Sequence, residues 1–404
     1  MIERSRRLVG VGVVVIVLAM LGPVVAASAS GAAATGGHGV PAAVGGPMLR
    51  PLRALPALGV RPVLDQQFAG TDSGYTVGAH GASVLSGVIF SNQTFGLVLS
   101  NASTNTSRVL PGNAGIAAGY PESIVAAGDK FFLSALNFSS NTVSFYQISF
   151  SGTVLKAALP LGSHLPWTFP YGNATALFAS EVGFLVELNP ATHAIVQNFS
   201  HDLPARLAVL SLVPSGPSLY LAGTLANPNA TSSSAYFGVL NATTGKLVRI
   251  SPIRFHPADY YGYFDAVGIV GGLVYVGGGL EYFNTATFNF STPQGYLDRY
   301  DPSTGTYVNR TFTLPVPNEW ILSIEPWKTT ALLVAGGYEY TATTSVNTFG
   351  IYSLSPTGGL VNRSARLPAG FIGNNTPSAA SDGYVFLEGY NTLSGLAELV
   401  GIPG

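Results

Sequence analysis

Cysteine is absent from the 404 residues, and charged side chains make up only 9% of them. The absence of cysteine excludes disulfides, thiolate metal sites and thiol catalysis. The 18 basic residues nearly balance the 19 acidic ones, so the chain has no basic field that would attract nucleic acid. Although 47% of the residues are hydrophobic, only one apolar run is long enough to span a bilayer. The sequence therefore excludes a bundle of membrane-spanning helices.

That single run lies at the N-terminus. Residues 3–7 are polar and basic, residues 8–27 are apolar, and the small residues Ala27-Ser28-Ala29 follow. This order is typical of an export signal, and its length also fits a retained membrane anchor. Both readings leave the remainder of the chain outside the cell, secreted or anchored to the outer face of the membrane. Residues 30–62 are rich in Gly, Ala and Pro and predict a flexible tether.

Glycosylation sequons support export independently. Twelve of the 21 asparagines begin an N-x-[ST] motif, where chance predicts about 3 or 4. The excess predicts a glycosylated surface, although Asn, Ser and Thr also gather in turns. The twelve asparagines are Asn92, Asn101, Asn105, Asn137, Asn173, Asn198, Asn229, Asn241, Asn289, Asn309, Asn362 and Asn374.

The low charge has two readings. Glycans would keep a chain with so few charges in solution. Alternatively, the protein works in acid, where a chain with few carboxylates changes little in charge when they are protonated. A solubility that collapses near pH 2–3 would count against the second reading.

A strand–turn–strand unit recurs after residue 62. It is clearest at residues 184–199, 237–250, 297–312 and 349–364. Its turn suits a type I turn closed by a left-handed residue, which Gly245 and Gly305 supply without strain. His193 stands at the same position, so we interpret it as a turn residue and not as a ligand.

The repeat predicts an all-β fold. A period of about 50 residues with several strands per unit is typical of a β-propeller. Residues 63–404 accommodate seven four-stranded antiparallel blades, with six or eight still possible. The last unit lacks an outer strand, and residues 61–69 are predicted to supply it and so close the ring.

The repeat also carries a family resemblance. Residues 273–279 and 332–337 end in consecutive glycines, and a Tyr-Asp-Pro-x-x-Gly turn follows the first of them. This combination resembles the kelch-repeat propellers, except that Tyr307 stands where that family usually has Trp. The resemblance implies four-stranded blades around a central channel and a role in binding partners. The copper site of the kelch-like oxidases needs a Cys-Tyr crosslink, so it cannot be carried over.

The predicted binding surface lies on one face of the ring. Long loops are expected there at residues 224–235, 279–294 and 338–348, where a rigid scaffold usually carries binding. The connections between blades add aromatic, carboxylate and amide groups suited to a sugar or peptide pocket, although aromatics there also lock blade to blade. The candidate binding residues are Tyr120, Glu122, Trp167, Tyr260, Tyr261, Glu319, Trp320 and Asn374.

No constellation for catalysis is evident. The six histidines have no metal-ligand spacing, no phosphate-binding loop is present, and no cofactor is implied. The sequence therefore favours a module that binds a glycan, a peptide or a cell-surface protein. One alternative is a hydrolase or lyase acting on polysaccharide through channel carboxylates, for which the candidates are Glu122, Asp259, Glu319 and Glu325. Another is a structural glycoprotein of the cell envelope.

Overall fold

The computed structural model describes residues 64–403 with gaps at 93, 111–119, 138–141, 228–231, 251–259, 285–288, 291–293, 309–313, 315–318, 328, 341–344, 374–377 and 382. The predicted signal or anchor at residues 1–29 and the tether at residues 30–62 lie outside the described residues. In the part of the chain that is described, no helix combines the length and apolar character that a membrane span requires.

Nearly all regular structure in the described residues is β-strand, with one short 3-10 turn at Ser364–Arg366. The strands are β1 Leu64–Phe68, β2 Thr71–His80, β3 Ser83–Phe90, β4 Phe95–Asn101, β5 Thr106–Val109, β6 Tyr120–Ala127, β7 Lys130–Asn137, β8 Thr142–Ser149, β9 Val154–Ala157, β10 Thr168–Gly172, β11 Leu177–Glu181, β12 Phe184–Leu188, β13 Ile195–Asn198, β14 Leu207–Ser215, β15 Ser218–Ala226, β16 Ser233–Asn241, β17 Leu247–Ile250, β18 Tyr260–Val270, β19 Leu273–Asn284, β20 Asn289–Phe290, β21 Gln294–Asp301, β22 Thr306–Val308, β23 Glu319–Trp327, β24 Thr330–Tyr340, β25 Ser345–Leu354, β26 Leu360–Asn362, β27 Phe371–Gly373, β28 Ala379–Ser381, β29 Tyr384–Asn391 and β30 Leu396–Pro403.

These strands form the small antiparallel blades of a β-propeller. Four sheets are four-stranded meanders: β2–β5, β6–β9, β10–β13 and β23–β26. A fifth sheet has five strands and contains β27–β30 with β1. A nine-stranded sheet holds the rest, and its two antiparallel parts meet through one parallel pairing, Ser233 with Tyr261. The prediction of an all-β propeller is confirmed at this level, and the count of seven blades stays a prediction.

The repeated turn joins the third and fourth strands of each meander. One residue of every such turn has a positive φ, from 54° at Asn105 to 90° at Gly152. His193 is one of them, with φ 61°, so its predicted role as a turn residue is confirmed. The first turn residue caps the turn with its side chain, as Asn241 does by accepting from the backbone N–H groups of Thr243 and Thr244 at 3.0 and 2.8 Å.

The N-terminal strand closes the last blade. Strand β1 pairs antiparallel with β30 over five residues, from Leu64 opposite Gly401 to Phe68 opposite Ala397. Phe68 is 3% exposed and packs with Val84 of the first meander. The predicted supply of an outer strand from residues 61–69 is confirmed, and the pairing removes an open sheet edge.

Neighbouring blades bury their faces against each other. One core cluster joins Leu85 and Leu97 of β3 and β4 to Phe131 and Leu133 of β7. The next joins Phe132 of β7 to Leu177 of β11 and Val186 of β12. A single four-stranded sheet exposes two apolar faces, so each blade needs a neighbour on both sides to bury them.

The hairpins on the predicted binding face are longer than expected. Strands β15, β16, β19, β24 and β25 extend into the ranges predicted as loops, residues 224–235, 279–294 and 338–348. The loop prediction is wrong at the ends of these ranges, because the backbone pairing continues past the glycines that we took as strand ends. Residues 228–231, 285–288, 291–293 and 341–344 within the ranges lie outside the described residues.

Candidate functional site: the central channel

The first strands of the meanders surround one cavity of about 360 Å³. We call β2, β6, β10, β14, β18, β23 and β28 the inner strands, because each contributes residues to the lining. A cavity of this size is typical of a pocket for a small molecule or a single side chain.

Five inner strands carry a β-bulge at an equivalent place. The register with the neighbouring strand skips one residue, which then has no partner in the ladder. We call these five skipped residues the bulge residues: Tyr75, Glu122, Leu210, Asp265 and Leu322. All of them except Tyr75 line the cavity, so the bulge places two carboxyl groups, those of Glu122 and Asp265, at the channel.

Glycine on the second strand makes room for the bulge. A Cβ added to Gly278 would lie 2.0 Å from the carbonyl oxygen of Tyr263, beside the bulge at Asp265. A Cβ added to Gly223 would lie equally close, 2.0 Å, to the carbonyl oxygen of Ala208. The glycines that suggested a kelch resemblance therefore have a physical role here, because they allow the two backbones to approach at the bulge.

One oxygen of the Glu122 carboxyl group is buried and unpaired among the described residues. This oxygen, Oε1, is inaccessible to solvent and has no hydrogen-bond partner among them. Burial raises the pKa of Glu122 to about 8, since water no longer stabilises the charged form. The pKa of the Tyr75 hydroxyl is also raised, by its own burial and then by the charge of Glu122.

Asp265 faces a second acid and an indole. Burial, and after it the nearby carboxylate of Glu281, raise the pKa of Asp265 to about 8. A hydrogen bond from the Trp320 side chain favours the ionised form and offsets part of the rise. Asp265 and Glu281 belong to adjacent strands, β18 and β19, so the two acids repel when both are ionised.

Glu325 completes the set of channel carboxyls. The hydroxyl of Ser378 donates to its Oε1 at 2.9 Å. Burial raises the pKa of Glu325 to about 7, and the hydrogen bond from Ser378 limits the rise. The same Ser378 hydroxyl lies 2.6 Å from that of Ser323, so this carboxyl belongs to a network that joins β23 to the segment entering β28.

Hydroxyls beside the bulges join neighbouring inner strands. Ser123 donates from its hydroxyl to the carbonyl of Phe169 at 3.4 Å and accepts from the Phe169 N–H at 3.2 Å. Ser211 accepts from the backbone N–H of Val267 at 3.2 Å. These bonds join neighbouring inner strands around the channel.

No basic side chain lies among the described residues that line the cavity. Within the described part of the chain, the ion pairs are Lys130 with Asp129 and His164 with Glu181, and none involves a channel carboxyl. The same residues contain no group of three or more His, Cys, Asp or Glu side chains arranged to hold a metal ion. The described part of the channel lining is thus acidic.

The predicted binding residues lie in several different surroundings and not in one site. Glu122 lines the channel. Glu319 is 1% exposed and accepts a hydrogen bond from the Tyr352 hydroxyl at 2.7 Å, and its pKa rises with burial to about 7. Trp320 and Tyr261 are 6% and 8% exposed and share one core cluster. Trp167 is half-buried, and its carbonyl accepts from the Ser134 hydroxyl at 2.7 Å.

The other predicted residues cannot be placed. The side chains of Tyr120 and Tyr260 lie outside the described part of the chain, although both residues begin inner strands. Asn374 and Asp259 also lie outside it. Tyr120, Glu122, Tyr260, Tyr261, Glu319 and Trp320 were expected in connections between blades, and that expectation is wrong, because the inner strands begin earlier than predicted.

Sequence reasoning missed Asp265. It is the one ionisable carboxyl in the apolar strand β18, and it is followed, as Glu122 is, by a small residue and a β-branched one. Aligning the inner strands on the glycine of the following tight turn would have placed the two acids at one position of the repeat.

Many of the described sequons lie at turns. In six of those that the structure describes, the asparagine Oδ1 accepts from the backbone N–H two residues on, at 2.8–3.1 Å: Asn92, Asn101, Asn173, Asn198, Asn241 and Asn362. Asn189, Asp301 and Asn391 make the same bond without a sequon. A turn motif therefore contributes to the excess of sequons.

Known structures of the same shape are propellers. Two crystal structures of virginiamycin B lyase from Staphylococcus aureus align over 84% of this chain and 99% of theirs, one a catalytically inactive variant with quinupristin (TM-score 0.50, 13% identity) and the other selenomethionine-substituted (TM-score 0.51, 11% identity). The β-propeller domain of the trilobed protease from Pyrococcus furiosus aligns over 83% of this chain and 94% of its own, with a TM-score of 0.48 and 10% identity. At these identities the likeness establishes the fold alone. No model of a known protein family matches the chain, and neither does any curated protein.

Proposed function

We propose that this chain is an exported binding module that holds its ligand in the central channel. The ligand would be a glycan, a peptide or part of a neighbouring cell-surface protein. The observation that carries the proposal is a cavity whose described lining includes Glu122, Asp265 and Glu325 and no basic residue. Buried polar groups without partners cost free energy, and a ligand with hydrogen-bond donors would recover it.

The pKa values of the channel carboxyls favour binding over acid–base catalysis. A glycosidase needs one carboxyl that stays protonated and another that stays ionised, which requires environments that push their pKa values apart. Here the pKa values of Glu122 and Asp265 rise to about 8, and that of Glu325 to about 7. Well below neutral pH all three are mainly protonated, and a protonated carboxyl both donates and accepts hydrogen bonds.

A binding screen with matched variants tests the proposal. The purified protein is applied to an array of neutral oligosaccharides and to immobilised peptides of mixed charge, alongside the double variant Glu122→Gln, Asp265→Asn. Asp129→Asn is the control, because Asp129 is exposed and lies outside the cavity. We expect binding that the double variant loses by at least tenfold and the control retains. Binding that both variants retain equally would refute the channel as the site.

A polysaccharide hydrolase or lyase is the second candidate. Its support is that three carboxyls line one cavity, which the sequence could not establish. Incubation of the protein with acidic and neutral polysaccharides, followed by assay of reducing ends and of unsaturated products, distinguishes it from a binding module. Turnover lost in Glu122→Gln and kept in Asp129→Asn would replace the binding proposal with an enzyme.

The finer architecture belongs to the same proposal. We take the two halves of the nine-stranded sheet as separate blades, which makes a closed ring of seven with one inner strand each. The support is that each of the seven inner strands contributes to the cavity. A kelch relationship remains part of the proposal, supported by the glycines beside the bulges.

Export and glycosylation are proposed from the N-terminal segment and the sequons. Asn198 and Asn362 end the outer strands β13 and β26 and are exposed, next to Val196 and Val361, which are 56% and 50% exposed. Glycans there would shield apolar blade edges from pairing. If glycosylation proves dense and the channel binds nothing, a structural role in the cell envelope takes the place of recognition.

A further inference from the structure

Acidic residues line the described part of the channel. Glu122 and Asp265 lie on different inner strands and line one cavity, and no Lys, Arg or His is among its described lining residues. An ionised carboxylate in such a place has lost hydration, and for Asp265 the hydrogen bond from the Trp320 side chain offsets part of that loss. A cation would stabilise the charged form further.

A second observation points to a ligand. The Oε1 atom of Glu122 is buried and has no hydrogen-bond partner among the described residues. Most buried side-chain oxygens are paired, so an unpaired one on a residue that lines a cavity is a place where a further group would be stabilising. Such a group would donate a hydrogen bond or carry positive charge.

The side chains that line the cavity indicate which kind of molecule would carry the hydrogen-bond donor or the positive charge. Val77, Ile124, Leu212 and Val267 line the cavity together with the two acids. These apolar side chains suit an aliphatic chain, and Thr76, Ser123 and Ser211 add hydroxyl groups to the same lining. A metal ion fits less well, because the described residues include no set of three ligands around one point.

We infer that the channel binds an alkylammonium group, the protonated amine at the end of a short aliphatic chain, through the carboxyls of Glu122 and Asp265. This inference rests on the proposed function and narrows its ligand. A lysine side chain of a peptide and a free aliphatic diamine present this same chemistry.

Binding of the cation competes with protons. The groups that face the two acids are the Tyr75 hydroxyl, the Glu281 carboxyl and the Trp320 indole, and none of them is cationic. Glu325, with its Ser378 partner, lines the same cavity. An ammonium ion stabilises the ionised carboxyls, so binding releases protons below about pH 8. The affinity should then rise about tenfold for each pH unit between roughly pH 5 and 7 if one proton is released.

Calorimetric titration tests the inference with probes of matched length. Cadaverine, a five-carbon diamine, is compared with pentane-1,5-diol, which has the same chain without charge. Titrations in two buffers of different ionisation enthalpy count the protons released. We expect cadaverine to bind and the diol not to bind, with about one proton released at pH 6.5.

Two further experiments identify which kind of amine binds and which residues bind it. Nα-acetyl-lysine-N-methylamide distinguishes a lysine side chain from a diamine. Glu122→Gln and Asp265→Asn should each weaken cadaverine binding by at least tenfold, while Asp129→Asn leaves it unchanged. The number of protons released is measured on the unaltered protein, so this part of the test stays valid if a variant fails to fold.

Several results overturn the inference. Equal binding of the diol and cadaverine excludes recognition of the ammonium charge. Cadaverine binding without proton release excludes a site whose carboxyls are protonated before the ligand arrives. If instead a neutral oligosaccharide binds in a manner that depends on Glu122 and cadaverine does not, the proposed function stands and this inference fails. If none of these probes binds, both fail.

Discussion

Two positions of the repeat behave in opposite ways. In four of the described repeats the first residue of the turn between the third and fourth strands accepts from the backbone N–H two residues on, as Asn241 and Asp301 do. In two others a serine, Ser149 or Ser355, accepts from the N–H four residues on. The bulge residue of the inner strand changes from Leu210 to Asp265 while the bulge itself persists. The backbone geometry is equivalent at both positions, and only the chemistry at the bulge is free to vary.

This difference distinguishes side chains that the fold requires from side chains that serve a function. A side chain that repeats is one that the local backbone requires, because each turn needs an acceptor for its N–H groups. A side chain that varies on a constant backbone has no such role, so an acid there needs another explanation. The two bulge acids are the clearest functional residues in the molecule for this reason.

The largest predicted effect comes from a substitution that disrupts the bulge. Gly278→Val would place a Cβ where the carbonyl oxygen of Tyr263 lies 2.0 Å away, and we expect a loss of about 3 kcal/mol in the free energy of unfolding. Gly81→Ala is the control, because nothing lies within 4 Å of its Cβ position and its positive φ alone costs about 1 kcal/mol. Urea unfolding measures both. Equal effects would mean that the second-strand glycine is not required by the bulge.

The free energy of unfolding should depend on pH through Glu122. The folded-state pKa of Glu122, about 8, lies above its ordinary value of 4.5, so the folded protein binds more protons than the unfolded chain. This contribution is fully present below about pH 4.5 and is lost as the pH rises through 8. Glu122→Gln should remove a share of this pH dependence on the order of 2 kcal/mol. Urea unfolding between pH 5 and 8 measures it, and an unchanged slope would contradict the burial of an uncompensated acid.

A smaller effect is expected at the turn. Asn241→Ala removes the acceptor for the N–H groups of Thr243 and Thr244, and we expect a loss of about 1 kcal/mol. Asn241→Asp keeps the acceptor and should remain close to the unaltered protein. A destabilised Asp variant would show that the turn depends on the amide and not on its oxygen.

The smallest effect separates the sequon from the turn. Thr243→Ala removes the sequon at Asn241 without removing the turn acceptor, and Thr243 is exposed. In unglycosylated protein we expect the change in unfolding free energy to stay within about 0.5 kcal/mol. In a glycosylating host, intact mass then reports whether Asn241 carries a glycan. Loss of one glycan supports the modified surface, and an unchanged mass assigns this sequon to the turn alone.

The repeat made much of the fold predictable. The turn glycines, His193 and the closing strand depend on local conformation and on the length of the last unit, and these can be read along one chain. The start of the inner strands was not predictable in the same way. Pro121 and Glu319 look like loop residues in sequence, and pairing with β7 and β24 makes them strand.

The channel was only half predictable for a related reason. Glu122 could be selected as a carboxyl near the predicted mouth. Asp265 sits within an apolar strand, and its place at the channel follows from a bulge, which depends on how two strands pair. Trp320 looked like a binding aromatic, but its ring packs in a core cluster and its side chain supports Asp265.

The most direct test of the account is a pH titration of the carboxyl carbons by NMR, with ¹³C-labelled Asp and Glu. The account predicts resonances that titrate near pH 8, one of them lost in Glu122→Gln and another in Asp265→Asn, in keeping with the pKa values of about 8 for both groups. If every carboxyl resonance titrates near the ordinary value of about 4, the channel acids are solvated or paired, and the proposed site is wrong.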